Sequence, residues 1–436
     1  MTASETVRRI RAEVAEQLSK PLGIDGDGAP SALNADSERQ LARKLIADAL
    51  SAEAARQISL GQPPLDAANE HEVAQAVFDS LYGLGRLQRI LEDATVTDIH
   101  INGCDRVFVK RTDGSRAVLG PVAESDAELV ELIRTAAARF GRSERRFDAA
   151  APELNLQLPD GSRLFAVQAV SERPSLAIRL HRHQKVFLDD LVGLGMIDHV
   201  LGSFLRAAVR SRQNIIIAGG TGVGKTTLLR ACANEIAPEE RLVTVEDALE
   251  LGLDRFPELH PNVVSFEERR ANTEGEGAVS MSDLVRWGLR MDPDRVIVGE
   301  VRGDEVLPML NAMSQGNDGS LATIHSDSSH GVFTKLALYA VQTPQRLPLE
   351  ATNLLVANSI DLVVFCTRNR YGERFVSSVR EVTGAEDRLV LSNEVFRPGR
   401  EGRARPGAPI RDVTMRELMD AGFDPGGFHA AMEQWT

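Results

Sequence analysis

Residues 214–236 read NIIIAGGTGVGKTTLLRACANEI and place Gly219, Gly224, Lys225 and Thr226 at the spacing G-x-x-x-x-G-K-[ST]. Glycines at these positions let a backbone wrap a chain of phosphates with its N–H groups pointing inward at the start of a helix. Lys225 supplies a mobile positive charge for the β and γ phosphates, and the Thr226 hydroxyl is a ligand for Mg²⁺. Gly220, Thr221, Gly222, Val223 and Thr227 complete the candidate binding stretch. A β-branched run precedes the loop, and Leu228, Leu229 and Ala233 follow at helical spacing, so the loop joins a strand to a helix. The chemistry is that of nucleoside triphosphate binding, with ATP and Mg²⁺ as the expected ligands.

Phosphoryl transfer to water also needs a group that orients the attacking water. The segment DRVIVGEVRG ends an apolar, strand-like run in Glu300, where ligands collect at the carboxyl ends of parallel strands. No Asp closes that strand, so Glu300 takes the acidic role there. TVEDALEL offers a second acid pair, Glu246 and Asp247, after the strand RLVTV. Adjacent strand-end acids can hold Mg²⁺-bound water or polarise the nucleophile. As solvated loop acids they would do neither, and their sequence alone leaves both readings open.

The elements that must position these groups follow from periodicity. NIIIAGG, RLVTVED, DRVIVGE and SLATIHS alternate with helical or loop segments over 190–395, which predicts a doubly wound α/β domain. Residues 72–185 read as an α+β domain. In it VTDIHING and DRVFVKR form a hairpin on Asn102-Gly103, residues 126–140 form a helix, and GSRLFAVQAV and SLAIRLHR form further strands. Amphipathic helices are expected over 4–20 and 37–58, separated by a loop at 22–36. Asp25 and Asp27 hint at a calcium loop there, but Pro30 stands where that motif needs Gly and no Glu closes it. Residues 397–411, RPGREGRARPGAPIR, read as a solvated linker before a short helical tail opened by a capping box, Thr414 with Glu417. The expected domains are a helical extension at 1–70, an α+β domain at 71–187, a P-loop domain at 188–395, and a linker with tail at 396–436.

Composition narrows the function class. The chain has 436 residues, 43% hydrophobic and 26% charged, enough for two or three domains without a metal or disulfide framework. Cys104, Cys232 and Cys366 are far apart and odd in number, as expected of buried thiols in a reducing cytoplasm. No run approaches a membrane span and the N-terminus lacks an apolar signal core, so the expectation is a cytoplasmic protein with no span of its own. A net charge of −13 makes nucleic acid an unlikely partner, because a phosphate backbone rewards Lys and Arg.

Taken together, the residues resemble the ATPases of type II and type IV secretion systems, and most closely the CpaF/TadA branch of tight-adherence pili. The resemblance covers about 72–385 and rests on four signatures in order: GGTGVGKTT, TVEDALEL, LRMDPDRVIVGEVRG and SQGNDGSLATIHSDS. LYGLGRLQRILEDATVTDIHINGCDRVFVKR is also similar to that family's N-terminal domain. The resemblance implies a RecA-like P-loop domain paired with an N-terminal α+β domain, a homo-hexameric ring, and a polytopic inner-membrane platform partner on whose cytoplasmic face the motor docks. It implies Glu246 and Glu300 as catalytic carboxylates, Asp247 in the metal shell, His325 as γ-phosphate sensor, and Arg163 and Arg179 as neutralising arginines. Arg302 would pair with an acid and brace the site. Two departures stand out. Asn317 replaces the first His of the histidine box, and Met291-Asp292-Pro293 replaces a basic stretch. The implied work is pilus assembly or secretion driven by ATP hydrolysis. The alternatives are DNA transfer by a motor of the same superfamily and a nucleotide-gated scaffold without turnover, which an intact Glu300 opposes.

Overall fold

The computed structural model describes residues 3–18, 35–140, 146–180, 185–269, 271, 275–386 and 388–433. The loop expected at 22–36 therefore lies almost wholly outside the described residues. The chain divides into two units, 1–181 and 182–436.

In the first unit, helices Ala3–Leu18, Ala35–Ser59 and Ala67–Tyr82 pack through Ile10, Val14, Ile46, Leu50, Val73 and Val77. The third helix crosses the boundary expected at residue 70, because Val73 and Val77 complete this small core. Glu53 is buried beneath it, and hydrogen bonds from Arg56 and Arg9 hold its carboxyl at about 2 against the opposing effect of burial.

The rest of the unit is an antiparallel sheet of β1 (Val96–Asn102), β2 (Val107–Arg111), β3 (Arg116–Leu119), β4 (Glu153–Gln157), β5 (Arg163–Val167) and β6 (Ser175–Arg179), in the order β3-β2-β1-β6-β5-β4. Helix Asp126–Phe140 lies where its periodicity predicts, and its Leu129 and Ile133 share a core with Ile99, Ile101, Leu164 and Ile178. The first hairpin exists, but its turn is four residues long. Asn102 N–H donates to Arg106 C=O, and only Gly103 of the Asn-Gly pair has positive φ, whereas a two-residue type I′ turn needs both.

The second unit is built on a nine-stranded sheet: β7 (Ile215–Gly219), β8 (Leu242–Glu246), β9 (Val263–Glu267), β10 (Arg295–Val301), β11 (Leu321–His325), β12 (Leu362–Arg368), β13 (Arg374–Glu386), β14 (Leu389–Pro398) and β15 (Ala404–Pro406). Their order is β15-β14-β13-β12-β7-β11-β10-β8-β9. Strands β12 to β9 in that order are parallel, and β13, β14 and β15 extend the edge antiparallel. β7 and β8 are buried along their whole length, since each face of the sheet carries its own apolar layer. The second unit is the expected RecA-like α/β domain, and the first carries the expected α+β domain.

The C-terminal reading needs correction. Residues 397–411 are not a linker: β14 and β15 pair through Arg397 and Arg405, and Arg411 binds the buried carboxylate of Glu381. Pro and Gly fall at the turn and strand ends, where an edge strand tolerates them. The capping box is also not formed. The helix is Asp412–Asp420, so Thr414 lies inside it and is buried, while Glu417 accepts from Gln213 Nε2 at 3.0 Å.

Candidate nucleotide site

The parallel register brings the carboxyl ends of β7, β8, β10 and β11 to one edge, so Gly219, Glu246, Glu300 and His325 converge there although they are far apart in sequence. The loop after β7 can exist only with glycines at particular points. Gly219 has φ 150°, and a Cβ on it would stand 2.3 Å from the Cys366 carbonyl oxygen of β12. Gly224 has φ 97° and forms the left-handed N-cap of helix Lys225–Ala233, whose first turn is Lys225, Thr226 and Thr227.

Lys225 is 8% exposed, and its ammonium donates to Gly219 O at 3.1 Å and Gly220 O at 2.9 Å. Burial holds its pKa below the ordinary lysine range, against the pull of Glu300. The same ammonium lies 3.3 Å from His325 Nδ1. With Lys225 as donor, Nδ1 accepts and the ring proton sits on Nε2, 2.6 Å from Glu300 Oε1. Glu300 Oε2 accepts from Arg302 Nε at 2.6 Å, and Arg302 Nη1 donates to Asp247 Oδ2 at 2.6 Å. One polar chain thus runs Lys225–His325–Glu300–Arg302–Asp247. The bracing role expected of Arg302 takes the form of a bridge between two acids.

Glu246 stands apart from that chain. It is 2% exposed, its Oε2 accepts the N–H groups of Glu250 and Leu251 at 2.8 and 2.9 Å, and its Oε1 has no partner. Burial pushes its carboxyl up to about 8, outweighing the two N–H bonds that favour the ionised form. Reading it as a strand-end acid missed how deeply it sits: Gly299 on the neighbouring strand leaves room for its stem, with a Cβ there only 2.9 Å from Glu246 Cγ.

Arg230 was also missed. It projects from the helix of the phosphate loop and binds the carbonyls of Leu251 and Glu250 at 3.0 and 2.7 Å, fixing the same turn that Glu246 holds from the other side. Its only sequence signal is an arginine on an otherwise apolar stretch of helix, flanked by Leu229 and Ala231.

Asn317 lies before β11, at the opposite end of that strand from His325. Its Nδ2 donates to Pro293 O at 2.6 Å and its carbonyl accepts from Ser320, so it is a structural brace. Asp292 sits in the left-handed region at φ 54°, just before Pro293.

Arg163 and Arg179 belong to the first unit and are not part of the polar chain. They are directly opposite each other on β5 and β6, with Asp98 3.7 Å from Arg179. Like charges in that register repel, by about 0.2–1 kcal/mol.

Comparison with known proteins identifies the architecture. The family model described as "Type II/IV secretion system protein" matches residues 81–394. The conjugal transfer protein TrbB of Rhizobium radiobacter is 32% identical over 301 residues, covering 68% of this chain and 85% of that protein. The type IV secretion system protein VirB11 of Brucella suis is 32% identical over 311 residues, covering 65% and 84%. Among solved structures, the chain is similar to the VirB11 ATPase of Brucella suis in complex with sulphate, at 30% identity and TM-score 0.37, covering 72% of this chain and 96% of that one. It is also similar to the pilus retraction motor PilT with bound ADP, at 16% identity and TM-score 0.48, covering 77% and 85%. With the matched segment spanning both the six-stranded sheet and the phosphate loop with its acids, the chain belongs to the type II/IV secretion system protein family and is an ATPase of that family.

Proposed function

We propose that the chain is a homo-hexameric motor that hydrolyses Mg²⁺-ATP to drive pilus assembly or secretion, and that it belongs to the CpaF/TadA branch. The observation that carries the motor reading is the polar chain from Lys225 to Asp247, which links the phosphate loop to two strand-end acids through His325. A bound γ-phosphate competes with the Gly219 and Gly220 carbonyls for the Lys225 ammonium. Drawing Lys225 away removes the donor to His325 Nδ1, so the ring reports occupancy to Glu300. Glu300 then orients the water whose oxygen attacks the γ-phosphorus as the β–γ bridging bond breaks, with ADP and inorganic phosphate as products. Glu246 in its ionised form is the proton acceptor.

Thr226, Asp247 and Glu300 are hard oxygen donors that suit Mg²⁺, and Arg302, by holding both acids, keeps them oriented toward it. When bound, the ion neutralises charge on the β and γ phosphates. Arg163 and Arg179 supply further positive charge to the transferring group, from the same or a neighbouring subunit.

No helix among the described residues is long and apolar enough to cross a membrane. The proposed placement is therefore peripheral, at the cytoplasmic face of the inner membrane on a polytopic platform protein. The description of TrbB as a conjugal transfer protein favours a second reading, a motor for DNA transfer, although the charge of −13 disfavours direct contact with DNA. Sedimentation of the full chain with and without ATP tests the ring: specific activity should rise with concentration as hexamer forms. A monomer fully active at every concentration refutes it. Co-purification from membranes then identifies the platform, and DNA-stimulated turnover would select the second reading.

A further inference from the structure

Beside the phosphate loop lies a cleft of about 550 Å³, lined by Gly220 and Thr221 of the loop, His325 and Asp327 after β11, Lys335 of helix Gly331–Gln342, and Arg368 at the end of β12. Asp327 is its only carboxylate, against two cations. Lys335 packs its ammonium against the Tyr339 ring at 5.3 Å, and neither it nor Arg368 has a carboxylate partner among the described residues. Arg368 is directly opposite Arg374 across β12 and β13, a like-charge pair. Arg374 also lies beside the loop: its Cδ is 3.8 Å from where a Cβ on Gly224 would stand. Three cations, Lys335, Arg368 and Arg374, thus gather near one phosphate loop without an ion-pair partner among the described residues, an arrangement that suits an anion.

We propose that Lys335 and Arg368 form a product site that takes inorganic phosphate as it leaves Lys225. The inference rests on the ATPase reading and deepens it. His325 is the shared wall, since it touches Lys225 and Glu300 on one side and lines the cleft on the other. The phosphate released by hydrolysis, a tetrahedral anion rich in acceptor oxygens, passes from one set of donors to the next. Thr221 adds a hydroxyl and Arg368 a planar fork of donors to the positive charge of Lys335. Asp327, at the rim, repels the dianion and favours its later departure.

The test measures equilibrium binding of inorganic phosphate to the full chain loaded with Mg²⁺ and ADP, in wild type and in K335Q, R368Q and the double variant. Phosphate binding is read without turnover, so a wild type that binds ADP but does not hydrolyse ATP counts against the ATPase reading separately. The double variant is expected to bind phosphate about tenfold more weakly, about 1.4 kcal/mol, with ADP affinity changed less than about threefold. R368K should recover most of the loss. Unchanged phosphate affinity overturns the proposal. So does a parallel fall in ADP affinity, which would make these cations part of the nucleotide cradle. If R368Q does not fold, as judged by circular dichroism and ADP binding, K335Q alone decides: about a threefold weakening supports the site and no change refutes it.

Discussion

Replacing Glu246 by Gln should change the pH dependence of both stability and turnover. The native carboxyl titrates near 8 because it is buried, whereas an exposed one titrates near 4.5. Between those values the native state holds a proton that the unfolded state has lost, so stability falls as pH rises through the window, at about 1.4 kcal/mol per unit. Over the whole window the loss is on the order of 5 kcal/mol. The Gln amide keeps a carbonyl to accept from Glu250 and Leu251 and, like the protonated acid, leaves its other end unpartnered, but it does not titrate. Urea unfolding at pH 5 to 9 reads this directly, because Trp287 lies on helix Met281–Gly288 of the second unit and reports it by fluorescence. Wild type should weaken steadily from about pH 4.5 toward pH 8 while E246Q stays level, so that the variant becomes the more stable protein within that window and holds its full margin above about pH 8. Turnover gives the second arm: wild-type kcat/KM should climb through pH 8 as the proton acceptor ionises, and E246Q should be slow throughout. Parallel stability profiles for the two proteins would refute the buried-acid argument, and a flat wild-type rate profile would remove Glu246 as acceptor.

Other substitutions probe separate links. Lys225→Ala should abolish nucleotide binding, measured by fluorescent ATP titration, while Glu300→Gln should retain binding and lose turnover by about a hundredfold or more, in line with loss of a group that orients the nucleophile; undiminished turnover would exclude Glu300 from that role. Gly219→Ala should destabilise the second unit by more than about 1 kcal/mol, since its Cβ would meet a backbone oxygen of β12 at 2.3 Å, and should weaken ATP binding in parallel; a variant melting with wild type would disprove the close packing. Glu53→Ala should destabilise the helical bundle, because it removes the buried carboxylate that accepts from both Arg9 and Arg56. In wild type that contribution is present above the ordinary carboxylate range near 4.5 and is lost as pH falls toward about 2, which a helical melt at pH 3 and 7 can follow.

What the linear sequence determined is chemistry with a local signature. The phosphate loop declares itself because glycine is favoured at the positive φ of Gly222 and Gly224, and a Lys followed by a hydroxyl residue at the helix start suits phosphate and Mg²⁺. The parallel strands were legible because burial on both faces leaves unbroken apolar runs such as Ile215–Gly219. The antiparallel flank β13–β15 was not, since edge strands tolerate the Pro, Gly and Arg that elsewhere mark a linker. Spacing could place Glu246 and Glu300 at strand ends but could not tell them apart. Only the tertiary structure makes one a buried acid held near 8 by desolvation and ties the other to His325 and Arg302. Desolvation and ion pairing depend on neighbours fifty or a hundred residues distant, and no local pattern records them.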